Sequence, residues 1–404
     1  MNRSVRNTFI LLIIVVFMLA FTPSYTSLNI DNLAYVVAMG IDVGESEKLN
    51  ITFQFTTGSS GGESGSSSEK NPLILNSVEA SSIDSAVNLM NSYMARELNL
   101  SHCKVIVFSE EIATKGISNE IYTLANNSQI RPSSNIIISK SGAKDYIENA
   151  TPILENLVTK YYEIFPNSNK YTGYVYNVTL GDFFNQLVCH TCESFAILGG
   201  VNNSSSDNTV TNISEIKSSN TTFSGQRGAE NLGVAVFKDD ILVGELSALE
   251  TLCLSIVRGD VDSFLITIAN PENENEQIDI MIYPSGHKKV KVNIINGSPY
   301  ITYDSKFTGR IYSMKKDAKY LDNSVLKQIS EECNRYLEET LTNYLYKTST
   351  VFKADINTFG KYCLSNFLTT QEFEEYNWRN SYANSIFKVT INTEIESGFL
   401  ITES

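Results

Sequence analysis

The chain has 404 residues, 42% of them hydrophobic, and a net charge of −14 from 31 basic and 45 acidic side chains. That balance excludes nucleic acid as a partner, because phosphates require a basic surface, and it excludes a purely electrostatic hold on an anionic membrane. The length exceeds one ordinary hydrophobic core, so two or three domains are expected.

Arg3 and Arg6 precede an unbroken apolar run from Phe9 to Phe21. A basic start and a run this short read as an export segment, since a full membrane span needs about 20 residues. Pro23, Ser24 and Ser27 end it. Small residues occur near 24–27, but no Ala-x-Ala cleavage pattern does. Residues 1–27 are therefore expected to be a signal or anchor segment, which places the rest of the chain outside the cytoplasm.

Residues 28–200 read as an α+β domain. The apolar run 33–42 is a buried strand, and alternation over 49–55 pairs with it as a hairpin. The Gly/Ser-rich stretch 58–70 cannot bury enough apolar surface to order itself and reads as a flexible loop. It lacks the Gly-Lys-Ser/Thr of a phosphate loop. Helical spacing runs over 82–98, with Ser82 as N-cap. Apolar runs at 105–108 and 136–138, separated by helical stretches, predict further buried strands in a mixed sheet. Residues 201–227, rich in Asn, Ser and Thr, read as a polar linker.

Residues 228–275 read as a middle α+β domain. A hairpin runs over 233–243, and a helix follows over 246–257. Ser247 and Glu250 form a capping box at its start. Residues 264–268 are a strand and 271–277 a polar turn. Residues 276–404 read as a C-terminal α+β domain. Alternation over 290–294 and 301–311 flanks Asn296-Gly297, a pair suited to a tight primed turn, and Pro299 limits the start of the second strand. Leu321, Val325, Ile329, Cys333, Leu337, Leu341 and Leu345 then mark one face of a long helix. A turn from Asp355 to Gly360 anchored by Phe359, a short helix carrying Trp378, and an alternating strand over 387–395 complete the unit.

That order of elements resembles the C subunits of nutrient germinant receptors, the Ger(x)C family. The resemblance rests on Ala38-x-Gly40-Ile41-Asp42; Ser101-His102, Arg131-Pro132 and Gly142-Ala143; Ser247/Glu250/Thr251 and Arg258-Gly259; Asp355, Ile356, Phe359 and Gly360; and Trp378. It implies three α+β domains with small sheets, and a non-catalytic subunit taking part in nutrient-triggered spore germination. The implied setting is the extracytoplasmic face of the inner spore membrane, with A and B subunits as membrane-protein partners and a small-molecule nutrient sensed by the complex. The family carries a lipid-modified cysteine near the N-terminus, whereas the first cysteine here is Cys103.

The residues themselves argue against chemistry. No triad, HExxH, GxSxG, Walker or dinucleotide pattern occurs in context, so no catalytic, cofactor-binding or metal residue is assigned. His102 and Cys103 are neighbours whose side chains should diverge. Cys189 and Cys192 lack the second ligand pair a structural zinc needs and follow a helix, where a reactive dithiol would precede one. A local disulfide or two free thiols is the better reading. Cys333 and Cys363 fall on apolar faces as buried thiols. The acidic pairs Glu110/Glu111, Glu331/Glu332 and Glu338/Glu339 fall on solvated helix faces. An exported solute-binding protein is the alternative that the residues leave open.

Overall fold

A computed structural model describes residues 3–20, 32–45, 48–56, 74–152, 154–155, 157–202, 213–221, 228–271, 273–312 and 323–396. The 58–70 loop, the residues at 24–27 and most of the 201–227 linker lie outside them. Helix α1 (Arg3–Ala20) is apolar on all sides from Phe9 to Met18, residues that are between 47% and 73% exposed. Among the described residues, no helix is both long and apolar enough to cross a membrane.

The first sheet takes its strands from β1 (Leu33–Val43), β2 (Leu49–Phe55), β3 (Ile74–Ala80), β4 (Glu97–Asn99), β5 (Val105–Ser109), β6 (Asn135–Ser139), β7 (Phe195–Val201), β8 (Ala229–Lys238) and β9 (Ile241–Leu246). Their order is β3-β2-β1-β5-β6-β7-β8-β9, with β4 also paired to β1. β1, β5, β6 and β7 run parallel, and antiparallel strands flank them. Strands buried on both faces need apolar residues at every position, which is why 105–108 and 136–138 read as unbroken runs. The intervening helices are α2 (Ile83–Tyr93), α3 (Glu110–Ala113), α4 (Ser118–Asn126), α5 (Ala143–Asn149), α6 (Val158–Ile164), α7 (Asn169–Thr172) and α8 (Leu180–Leu187). Ser82 caps α2 as expected, its side chain accepting from Ser85 N. The helix stops at Tyr93, not near 98. Residues 97–99 pair with 33–35 instead, and Asn91 Oδ1 holds the Leu98 amide at 2.8 Å.

The hairpin expected to begin a middle domain joins this first sheet. Val236 pairs with Phe195, so β8 satisfies the outer edge of β7 and β9 extends it. Helix α9 (Ala248–Arg258) follows with its Ser247/Glu250 capping box formed and Gly259 in the left-handed region at its end. It is buried nearly all round, from Thr251 to Val257, as suits a helix lying between two sheets.

The second sheet comprises β10 (Phe264–Asn270), β11 (Asn273–Pro284), β12 (Lys289–Ile295), β13 (Ser298–Ile311) and β14 (Ile386–Glu396). The polar stretch 271–277 is mostly strand, because β11 starts at Asn273 and pairs back onto β10. The described strands thus form two sheets, and the stretch 228–275 is shared between them. Asn296 (φ 52°) and Gly297 (φ 80°) make the tight turn between β12 and β13. β14 returns parallel to β13 along its outer side. Helix α10 (Asn323–Tyr346) covers one face with Val325, Ile329, Cys333, Leu337, Leu341 and Leu345 buried. It also closes the free edge of β14. Glu338 Oε1 accepts from Ile391 N at 2.8 Å and Asn334 Oδ1 from Thr393 N at 2.7 Å. Glu338 is thus a partly buried strand partner, not a solvated acid. Short helices α11 (Gly360–Cys363), α12 (Thr370–Tyr376) and α13 (Trp378–Ser381) connect α10 to β14.

Truncating the α10 core face at Leu341→Ala should cost about 2–5 kcal/mol of stability. Lys327→Ala, on the solvated face of the same helix, should change it by less than about 0.5 kcal/mol. Urea unfolding of the two variants beside the parent chain measures both.

Candidate functional site

Two buried carboxylates, Asp355 and Glu193, lie where the two sheets meet. After α10, a single π-helical stretch (Lys347–Phe352) ends at Lys353, whose φ of 53° reverses the chain into the turn that starts at Asp355. Asp355 is 2% exposed. Its Oδ1 accepts from Asn357 N and Phe359 N, both at 3.2 Å. Its Oδ2 accepts from Gly360 N at 2.8 Å and from Trp378 Nε1 at 3.0 Å. Burial pushes this carboxyl up to about 6, although the four donors pull the other way. Gly360 is required here, since a Cβ would overlap both the Trp378 indole and the Thr191 carbonyl across the junction.

The first half of the chain meets this turn through the loop between α8 and β7. Cys189 and Cys192 are joined in a disulfide, with Cα atoms 5.6 Å apart. Directly after it, Glu193 N donates to Asp355 O at 3.0 Å. The Glu193 side chain is 1% exposed. It receives Arg379 Nε at 2.8 Å and a second, shorter bond from Arg379 Nη2, while Asp239 N donates to it at 2.9 Å. Arg379 Nη1 reaches Asp239 Oδ1 at 2.7 Å. Lys238 Nζ donates to the carbonyls of Lys353 and Arg379 at 2.7 and 3.2 Å. A buried carboxylate is tolerated only when paired and hydrogen-bonded. Glu193 meets that condition with partners from both halves, which ties the halves together. Lys347 adds another tie, binding both Glu250 oxygens at 2.7–2.8 Å.

Arg258, at the end of α9, is the third junction residue. Its Nη1 donates to Ile356 O at 2.8 Å and its Nε to the Tyr176 hydroxyl at 2.9 Å. The guanidinium lies 5.7 Å from the Tyr176 ring centre and 5.2 Å from that of Phe195, a stacked cation geometry. Tyr176 in turn donates to Asp260. This group forms one wall of a cleft of about 510 Å³ that also takes in Lys170 and Asp182. The cleft is polar and carries both charge signs. It lacks the largely apolar lining of most small-molecule sites.

The histidines and acidic pairs singled out in the sequence do not converge. His102 packs edge-on against Tyr35 at 4.6 Å, while the neighbouring Cys103 is buried and donates to Val105 O. His190 and His287 are exposed and lie on different loops. Glu331 and Glu111 are exposed, and Glu332 and Glu339 flank Arg335. Among the described residues, no group of three or more His, Cys, Asp or Glu side chains could hold a metal ion. Cys333 and Cys363 are free and buried. The Asp355 turn with its Phe359 anchor and the short helix carrying Trp378 were visible in the sequence as separate elements; the Trp378–Asp355 bond that joins them was not. Glu193 and Arg379 carried no signal, because their pairing spans 186 residues.

Asp355→Ala leaves four donors unanswered and should cost at least about 3 kcal/mol at pH 5. A carboxyl whose folded pKa is raised contributes most when protonated, and loses that contribution as pH climbs through about 6. The stability gap between parent and variant should therefore narrow from pH 5 to pH 7, as followed by chemical unfolding at each pH. Arg379→Ala leaves the buried Glu193 charge with Lys238, 3.9 Å away, as its one remaining cation among the described residues and should cost roughly 3 kcal/mol. Arg379→Lys should recover only part, since an ammonium cannot reproduce the bidentate fork.

Comparison with known proteins bears on both halves. Residues 26–196 match the family described as spore germination protein N-terminal domain, and residues 232–398 match the one described as spore germination B3/GerAC like, C-terminal. YfkR of Bacillus subtilis (strain 168), whose name assigns it provisionally to spore germination, is 21% identical over 393 residues and is matched over 93% of each chain. The crystal structure of the GerBC protein superposes with a TM-score of 0.51 at 17% identity, over 88% of this chain and 96% of that one, a likeness of fold. The two matched regions together take in most of the chain, which belongs to the GerAC-like family of spore germination proteins.

Proposed function

We propose that this chain is the C subunit of a spore germinant receptor and acts by presenting folded surfaces to the membrane-embedded A and B subunits, without turning over a substrate. Membership of the family over both halves of the chain carries this reading. The chemistry of the junction supports it. The buried carboxylates Asp355 and Glu193 are saturated by donors from the fold itself, which suits a rigid scaffold. A general acid or base needs a proton-transfer partner in reach of substrate, and these two groups have their lone pairs committed.

In this reading residues 1–27 act as the membrane anchor, with α1 burying its apolar sides in lipid and the remainder at the extracytoplasmic face of the inner spore membrane. The full chain should sediment with membranes, and a chain starting at residue 28 should remain in the soluble fraction. A second reading, an exported solute-binding protein, draws on the cleft beside Arg258, which offers both charge signs to a small solute. Isothermal titration of the chain with amino acids separates the two, tight one-to-one binding favouring the second.

Spores lacking the gene should lose their response to one class of nutrient while still germinating with dodecylamine. Unchanged germination with every nutrient tested would refute the assignment.

A further inference from the structure

We propose that the Cys189–Cys192 disulfide is a thiol–disulfide exchange site whose redox state sets how firmly the two halves of the molecule are clamped together. The disulfide closes a four-residue loop directly before Glu193, the residue that reaches Asp355 O, Arg379 and Asp239 N across the junction. Thr191, inside that loop, lies against Gly360 so closely that a Cβ there would overlap its carbonyl. The loop is otherwise lightly held. Cys189 N donates to Gln186 O at 3.2 Å, and the Cys189 sulfur meets the Thr191 hydroxyl at 3.3 Å. The covalent bond is thus the cross-link within the loop itself, while Glu193 directly after it is held from outside by Asp355 O, Arg379 and Asp239 N.

The two cysteines differ in exposure. Cys189 is half-buried and is followed by the exposed His190, whereas Cys192 is 4% exposed. A dithiol reductant therefore attacks at Cys189. Its thiolate bonds to the Cys189 sulfur, the Cys189–Cys192 bond breaks, and the electron pair leaves on Cys192, which takes up a proton. The second thiol of the reductant then displaces Cys189 from the mixed disulfide. The products are two protein thiols and one oxidised dithiol, and the reductant supplies both electrons and both protons. The remaining four cysteines do not compete, because Cys103, Cys253, Cys333 and Cys363 are all free and buried. Burial also holds Cys103, Cys333 and Cys363 up at about 12, far from the thiolate form that reacts.

The test uses the full chain with dithiothreitol as the dithiol. Under native conditions a maleimide should titrate no thiols before reduction and two after it. Amide hydrogen exchange at Phe359 and Gly360, whose N–H groups bind Asp355, should quicken about tenfold or more on reduction, with exchange in β1 and β5 unchanged. Emission from Trp378, the one tryptophan of the sequence, should shift to the red. A C189S/C192S variant should show the fast exchange without reductant and no further response to it. If that variant does not fold, the parent chain with and without dithiothreitol still decides. A disulfide that resists dithiothreitol in the folded chain would overturn the proposal. So would release of two thiols with exchange at Phe359 and Gly360 unaltered, which would make the bond a local staple only.

Discussion

A carboxylate taken out of water must find replacement partners, and Asp355 finds four. Three are backbone amides of its own turn and the fourth is the Trp378 indole. The turn closes around this carboxyl, and the carboxyl is buried because the turn supplies its partners. From this follow the position of Phe359 in the core, the absence of a side chain at Gly360, and the packing of α13 against the turn through Trp378. The backbone of the same residue then meets Glu193 from the other half. One aspartate thus organises its own unit with its side chain and orients the neighbouring unit with its carbonyl.

The molecule is held together at the junction by polar contacts of a particular kind. Glu193, Arg258 and Lys347 each combine a charge with several fixed partners, and each joins residues far apart in the chain. Surface ion pairs contribute little on their own. Glu193 is shielded from solvent and Arg258 and Lys347 are partly so, and their worth lies in geometry: two halves that bind through directional, charge-assisted bonds have one docking pose. The apolar complement is α9, which fills the space between the sheets. The junction is therefore a polar rim around a helix shared by both halves.

Much of this was legible in the sequence, and the reasons are physical. Parallel central strands must be apolar throughout, so β5 and β6 stood out as runs. The Ser247/Glu250 box, the Asn296-Gly297 turn and the apolar stripe of α10 are local codes, read over a few residues; Leu321, expected to start that stripe, lies outside the described residues. The sheet to which a strand belongs is a long-range property. The 233–243 hairpin was correctly placed along the chain, yet its alternation could not reveal that its outer neighbour would be β7. The same limit applies to residues 97–99, whose helical spacing yielded to an open edge on β1. The site was half visible. The turn from Asp355 to Gly360 and the helix carrying Trp378 were legible as two successive elements, while Glu193 and Arg379 are ordinary residues made important only by the fold that brings them together.

The edge of β14 has a consequence for assembly. Two side chains of α10 occupy amides that another polypeptide would need in order to extend the sheet. Main-chain pairing is indifferent to sequence, and a membrane surface crowded with copies of such a domain would invite chains to zip together at random. With that route obstructed, whatever docks along this flank must be recognised through the shape and charge of its side chains, so that contact with a companion becomes a matter of identity, not of strand geometry.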